Sequence, residues 1–225
     1  MRIVLIVFSF LLVLIGLPPA KAQPARDWST NVVEQPGGGI AVGNPAAKVK
    51  LVEWLSYTCS HCADFAKESK VELHAMVRAG SVQVEYRTLP RDGLDLAAGL
   101  LVRCGGKARF AGAHDAVFTG QAAMLDKATA FSATPAAAAP MPTLAARLNQ
   151  LADATGLRAT IRARGLNDSQ TTRCLNDEAA QKRVIAIAEA AQTAGIPGTP
   201  AFEIGGRRVD AHSWAELKPQ LLAAR

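Results

Sequence analysis

Val49-Lys50-Leu51-Val52-Glu53-Trp54-Leu55-Ser56-Tyr57-Thr58-Cys59-Ser60-His61-Cys62 is the stretch whose reading decides the fold of this chain. Its first half is a short, nearly continuous apolar run bounded by turn signals, the pattern of a buried central strand. Two thiols then stand three positions apart, with a histidine between them, where a helical pattern opens. At the start of a helix that spacing lets two sulfurs approach within bonding distance. It also sets the first sulfur against unpaired backbone N–H groups and the positive end of the helix dipole, which favour negative charge. A thiolate is the species that attacks disulfides, so the segment points to thiol–disulfide exchange.

Working outward, Ser60 to Arg78 carries Phe65, Ala66, Leu73, Met76 and Val77 at helical spacing, and Gly80 follows as a C-terminal cap. Ser81 to Leu89 alternates Val82, Val84 and Tyr86 with Gln83, Glu85 and Arg87, as a half-buried strand does. Strand, helix and strand make a right-handed parallel unit. From Gly93 to Gly195 the chain turns alanine-rich and helical. Helices are expected over Leu94–Cys104, Lys107–Leu125, Leu144–Thr155 with Gly156 as cap, and Thr171–Thr193, with a loop at Phe131–Pro142. After it, Ala201–Ile204 and Arg207–Asp210 flank Gly205-Gly206, a two-residue hairpin signal. Ser213-Trp214-Ala215-Glu216 is a capping box that opens a last helix to Ala224, in which Pro219 is expected to cause a kink or an early end.

The N-terminus reads as a secretory signal over residues 1–22: Arg2, an apolar stretch from Ile3 to Leu17, Pro18-Pro19, and the small-residue site Ala20-Lys21-Ala22. Fifteen helical residues span about 22 Å, short of a hydrocarbon core of roughly 30 Å, so cleavage is expected rather than a membrane anchor. The destination is an oxidising compartment where disulfides persist. Removing Arg2 and Lys21 leaves 23 basic against 19 acidic residues, a mild charge. With no basic run and twelve scattered aromatics, nucleic acid is a poor partner. The arm from Gln23, rich in glycine and proline, is expected to be irregular or bound at a sheet edge.

Each chemical residue has a bland alternative. Cys59 and Cys62 read as a redox pair, or else as a structural disulfide or half of a zinc site. Zinc commonly draws its remaining ligands from a second Cys-x-x-Cys or a spaced histidine pair, and the chain has neither, so no metal is expected. His61 is placed to stabilise a thiolate at Cys59, or is an ordinary solvated histidine. Glu53 in an apolar strand is either a functional buried carboxylate or a residue that strand alternation turns to water. Cys104 and Cys174 make an even count in an exported chain, which favours their pairing over two buried thiols. His74, His114 and His212 show no ligand spacing and read as surface or packing residues.

The residues Glu53, Tyr57-Thr58-Cys59-Ser60-His61-Cys62, Phe65 and Gly198-Thr199-Pro200-Ala201, together with the order βαβ, helical block, ββ and α, resemble the DsbA family of secreted thioredoxin-fold proteins. The resemblance extends over nearly the whole mature chain. It implies an α/β thioredoxin fold interrupted by an all-helical subdomain. By it the chain divides into a signal peptide at 1–22, an arm at 23–47, a first thioredoxin part at 48–92, an inserted helical part at 93–195 and a second thioredoxin part at 196–225. It also implies Cys59 as the attacking, substrate-linked thiol and Cys62 as the resolving one. Ser60 and His61 tune the potential, with Ser60 where the best-known members carry proline. Glu53 relays a proton for Cys62. Pro200 is a cis-proline facing the sulfurs, and Thr199 before it pairs with an extended substrate. Some relatives carry a second, non-catalytic disulfide in the inserted domain, the place of Cys104 and Cys174.

The expected activity is that of a periplasmic oxidase, needing no cofactor, that donates its disulfide to folding exported polypeptides. A DsbB-like membrane partner would reoxidise it. The alternatives are an isomerase or reductase kept in the dithiol form, or a binding module on a thioredoxin scaffold. Isomerases of the superfamily usually carry an N-terminal dimerisation domain. The stretch from Gln23 to Cys59 is too short for one, so a monomer is expected.

Overall fold

The computed structural model describes residues 26–224, so the expected signal segment lies outside the described residues. Six strands form one sheet: β1 (Val32–Glu34), β2 (Ile40–Gly43), β3 (Val49–Leu55), β4 (Val82–Thr88), β5 (Ala201–Ile204) and β6 (Arg207–Val209), in the order β1-β2-β4-β3-β5-β6. The expected parallel unit is β3 and β4, joined through helix α1 (Ser60–Arg78). The pairs on either side are antiparallel. The Gly- and Pro-rich arm is the edge hairpin β1–β2, held on β4.

Alternation along β3 decides the two layers. Val52 and Trp54 pack with Ile187 and Ala191 on one face. Glu53 pairs in register with Phe202 of β5 and Tyr86 of β4. Phe202 in turn lies against Phe65 of α1, ring centroids 4.5 Å apart, so Glu53 points toward the helix that carries the cysteines. Helix α1 ends in a Schellman arrangement, with the N–H of Ser81 donating to the Met76 carbonyl and that of Gly80 to Val77. Gly80 has φ +78°, and a Cβ there would stand 2.6 Å from Trp28, so both conformation and space call for glycine.

Between β4 and β5 runs the helical block: α2 (Gly93–Cys104), α3 (Phe110–Thr119), α4 (Gln121–Ser132), α5 (Pro135–Ala138), α6 (Leu144–Ala154), α7 (Leu157–Arg162), α8 (Asp168–Asn176) and α9 (Glu178–Thr193). The helix α10 (Trp214–Ala223) closes the fold. This is the thioredoxin fold with an inserted helical subdomain that the resemblance implies.

The block corrects several element boundaries. The helix expected over 107–125 is two, broken at Gly120, where the backbone leaves the helical region at ψ 3°. The helix expected over 171–193 breaks at Asp177, whose backbone is extended. Its carboxylate accepts from the Ala180 N–H, so an internal N-cap restarts the helix. The expected loop at 131–142 holds the single turn α5, with Pro135 at its first position. Helix α7 was not anticipated, and α10 runs on through Pro219 to Ala223.

Cys104 at the end of α2 and Cys174 in α8 form a disulfide, with Cα atoms 5.8 Å apart. It closes a loop of 70 residues, which by chain entropy stabilises the fold by on the order of 4 kcal/mol. A Cys104→Ala/Cys174→Ala double variant is therefore expected to unfold at distinctly lower denaturant concentration. An unchanged midpoint would show that the bridge carries no such stabilisation.

Candidate active site

The strand β3 ends at Leu55, and a four-residue turn, Ser56 to Cys59, delivers the chain into α1. Cys59 is the N-cap of α1, with extended backbone, and Cys62 lies one turn in. Both are free thiols. Cys59 is 4% exposed at the rim and Cys62 fully enclosed. The Cys59 sulfur lies 3.2 Å from the carbonyl oxygen of Thr199. The Thr199–Pro200 peptide is cis, and it enters β5 beside β3. One turn, one helix start and one strand start therefore converge on a single sulfur.

The two thiols face opposite electrostatics. A hydrogen bond from the Cys62 thiol, the Thr199 side chain, and the N–H groups of Cys62 and His61 together bring the Cys59 thiol down to about 4, against the opposing effect of burial. Hydrogen bonding to Cys59 and burial push the Cys62 thiol far up, and a charge on Glu53 adds to the rise. One sulfur is thus a thiolate at neutral pH while its neighbour keeps its proton. His61 contributes through its backbone, while its ring is exposed, as is Ser60.

Glu53 is 2% exposed, and its Oε1 has no hydrogen-bond partner. Desolvation raises its carboxyl to about 8. The alternation that might have turned it to water turns it inward instead. Cys104 and Cys174 belong elsewhere, lining a separate cavity with Arg103 and Phe110 that none of the residues around Cys59 enters. Among the described residues no group of three or more His, Cys, Asp or Glu is placed to hold a metal, and no helix is long and apolar enough to cross a membrane.

The turn before Cys59 is fixed by residues that motif reading passed over. The carboxylate of Asp95, fully buried in α2, accepts from the Ser56 hydroxyl at 2.5 Å, the Tyr57 N–H at 2.7 Å and the Arg91 N–H at 3.0 Å. Burial lifts it to about 6 in spite of those donors. Asp92 caps α2 and accepts from the Thr58 hydroxyl at 3.1 Å. The His114 ring, held neutral by burial, shares a hydrogen bond between its Nδ1 and the Tyr57 hydroxyl at 2.9 Å. Gln121 donates to the carbonyls of Tyr57 and Cys59. The acid three residues after a capping Asp was a visible signal for the first pair. Nothing in the sequence marks Gln121.

With this geometry in view, the comparisons with known proteins are specific. A family model described as thioredoxin matches residues 35–222. The chain belongs to the thioredoxin family. No curated protein sequence matches it. The solved protein-disulfide isomerase of Novosphingobium aromaticivorans is 36% identical over 81% of this chain and 95% of its own, with a TM-score of 0.74. Wolbachia pipientis alpha-DsbA1 is 20% identical, covering 87% of this chain and 94% of its own at a TM-score of 0.64. BdbD of Bacillus subtilis is 17% identical, covering 89% and 96% at a TM-score of 0.55. The last two speak to the fold, which this family member shares over nearly all the described residues.

Proposed function

We propose that this protein thiol–disulfide oxidoreductase works as a disulfide donor to exported polypeptides, with Cys59–Cys62 as its redox pair. The observation that carries the reading is the split between the two thiols, Cys59 low and Cys62 high. A stabilised thiolate favours the dithiol protein over its disulfide, and a pair that prefers to be reduced is an oxidising pair.

The reaction balances in two exchanges. A substrate thiolate attacks the Cys59 sulfur of the disulfide; the bond to Cys62 breaks, and Cys62 leaves with the electron pair and takes a proton. Glu53, buried and raised to about 8, holds such a proton at neutral pH. A second substrate thiolate then attacks the substrate sulfur of the mixed disulfide and expels the Cys59 thiolate, a good leaving group. The substrate leaves oxidised by two electrons and the protein reduced by two. Run backwards, Cys59 is the attacker and Cys62 the resolving thiol. Thr199 pairs with an extended substrate strand in this reading, which the closeness of its carbonyl to the sulfur supports. Export to the periplasm and reoxidation by a membrane partner complete the cycle, the protein acting as a monomer. The apolar stretch at residues 3–17 supports export.

Isomerase action is the second reading, favoured by what the Novosphingobium structure is said to be. Rapid alkylation of thiols in intact cells separates the two. A pair found oxidised at rest is the expected result. A pair held mostly as dithiol would overturn the donor reading in favour of an isomerase or reductase.

A further inference from the structure

We propose that Gln121 is a positioning residue for the reactive sulfur: from the first turn of α4, its side-chain amide holds both carbonyls that flank Thr58 and so fixes the turn that presents Cys59. The inference rests on the donor reading above and adds to it the device that keeps the sulfur in place.

The amide nitrogen donates to the Tyr57 carbonyl at 3.0 Å and to the Cys59 carbonyl at 2.9 Å. An amide NH₂ has two hydrogens in one plane, so two acceptors bound at once are fixed relative to each other as well as to α4. Gln121 is 3% exposed, so water does not compete for either bond. The Cys59 carbonyl is also the first acceptor of α1, taking the Ala63 N–H at 3.2 Å. The amide therefore grips the peptide group at which turn becomes helix. The orientation of that group decides whether the sulfur faces the N–H groups of His61 and Cys62 and the Thr199 loop. The break at Gly120 makes the contact possible, because it starts a new helix whose first residue is Gln121. Among the described residues no other side chain donates a hydrogen bond to either carbonyl.

A tie that served stability alone would act equally on the oxidised and reduced protein. A positioning residue acts on the thiolate, and only the reduced protein has one. The test is Gln121→Met, which keeps the length of the side chain and removes both N–H donors, made in the full chain. Two quantities are read: the pH midpoint of thiolate absorbance at Cys59, and the equilibrium of the pair with reduced and oxidised glutathione. The expected result is a midpoint about one unit higher and a dithiol form about tenfold less favoured against glutathione, since one unit is a factor of ten. A folded variant with unchanged midpoint and equilibrium overturns the proposal.

If Gln121→Met does not fold, the wild-type protein supplies the answer by nuclear magnetic resonance. The Gln121 side-chain amide signals should move with the Cys59 titration, and signals indifferent to it overturn the proposal. The two readings fail differently. A wild-type Cys59 that titrates as an ordinary thiol removes the donor reading and this inference with it. A low wild-type midpoint that survives Gln121→Met removes this inference alone.

Discussion

Cys59→Ser is expected to abolish disulfide exchange, leaving only the rate of the uncatalysed reaction, while the protein keeps its fold. The replacement is nearly isosteric and falls at the helix cap, where serine is itself a favoured residue, so the loss is chemical. The hydroxyl cannot form the mixed disulfide, and neither exchange step can begin. Oxidation of a reduced model peptide, followed alongside circular dichroism, checks both halves of the expectation. Cys62→Ser provides the contrast. It leaves the Cys59 thiolate in place but removes the resolving thiol, so mixed disulfides with substrate accumulate and can be isolated. A Cys59→Ser protein that still oxidised the peptide would move the active sulfur elsewhere, and a binding module would show no loss in either variant.

Glu53→Gln is expected to have the second largest effect, with opposite signs on stability and on turnover. Burial raises the Glu53 carboxyl from its ordinary value to about 8. The folded protein thus holds this proton more tightly than the unfolded chain does. The stability that goes with it is fully present below the unfolded value near 4.5 and is lost as pH rises through about 8. Gln keeps the shape and never ionises. The variant should match the wild type at pH 4 and exceed it at pH 8 by a few kcal/mol, the magnitude that a shift of this size implies. Denaturant midpoints at the two pH values measure this, and equal stability at pH 8 would mean that Glu53 is not the buried carboxyl described. Turnover should fall at the same time, by roughly 10²-fold, the low end for loss of a positioned proton donor. The fall should be confined to the step in which Cys62 leaves.

The sequence was most legible where local chemistry and periodicity agreed. The span of α1 from Ser60 to Arg78, the alternation of β4 and the hairpin turn at Gly205-Gly206 all follow from side-chain pattern and turn chemistry, and all are present. The helical block was less legible because alanine-rich sequence is compatible with helix almost everywhere. Its breaks come at a glycine, Gly120, and at a cap, Asp177, neither of which interrupts the apolar period. At the site, the Cys-x-x-Cys spacing, the acid in an apolar strand and Thr199-Pro200 were visible as motifs. The bonds from His114 and Gln121 were not, because they join residues from 57 to 64 positions apart that carry no pattern of their own.

The hydrogen bonds that converge on the turn from Ser56 to Cys59 bear on how small this enzyme can be made. Every residue of the motif lies on β3, on α1, in the turn between them or at the entry to β5, and a chain pruned to its thioredoxin elements would retain all of them. It would also strip the partners from Tyr57, from Thr58 and from two carbonyls beside the nucleophile, and water would take their place. The inserted helices are therefore the back wall of the reaction chamber rather than an ornament on a self-sufficient core. A miniature built from the motif alone would be a different reagent.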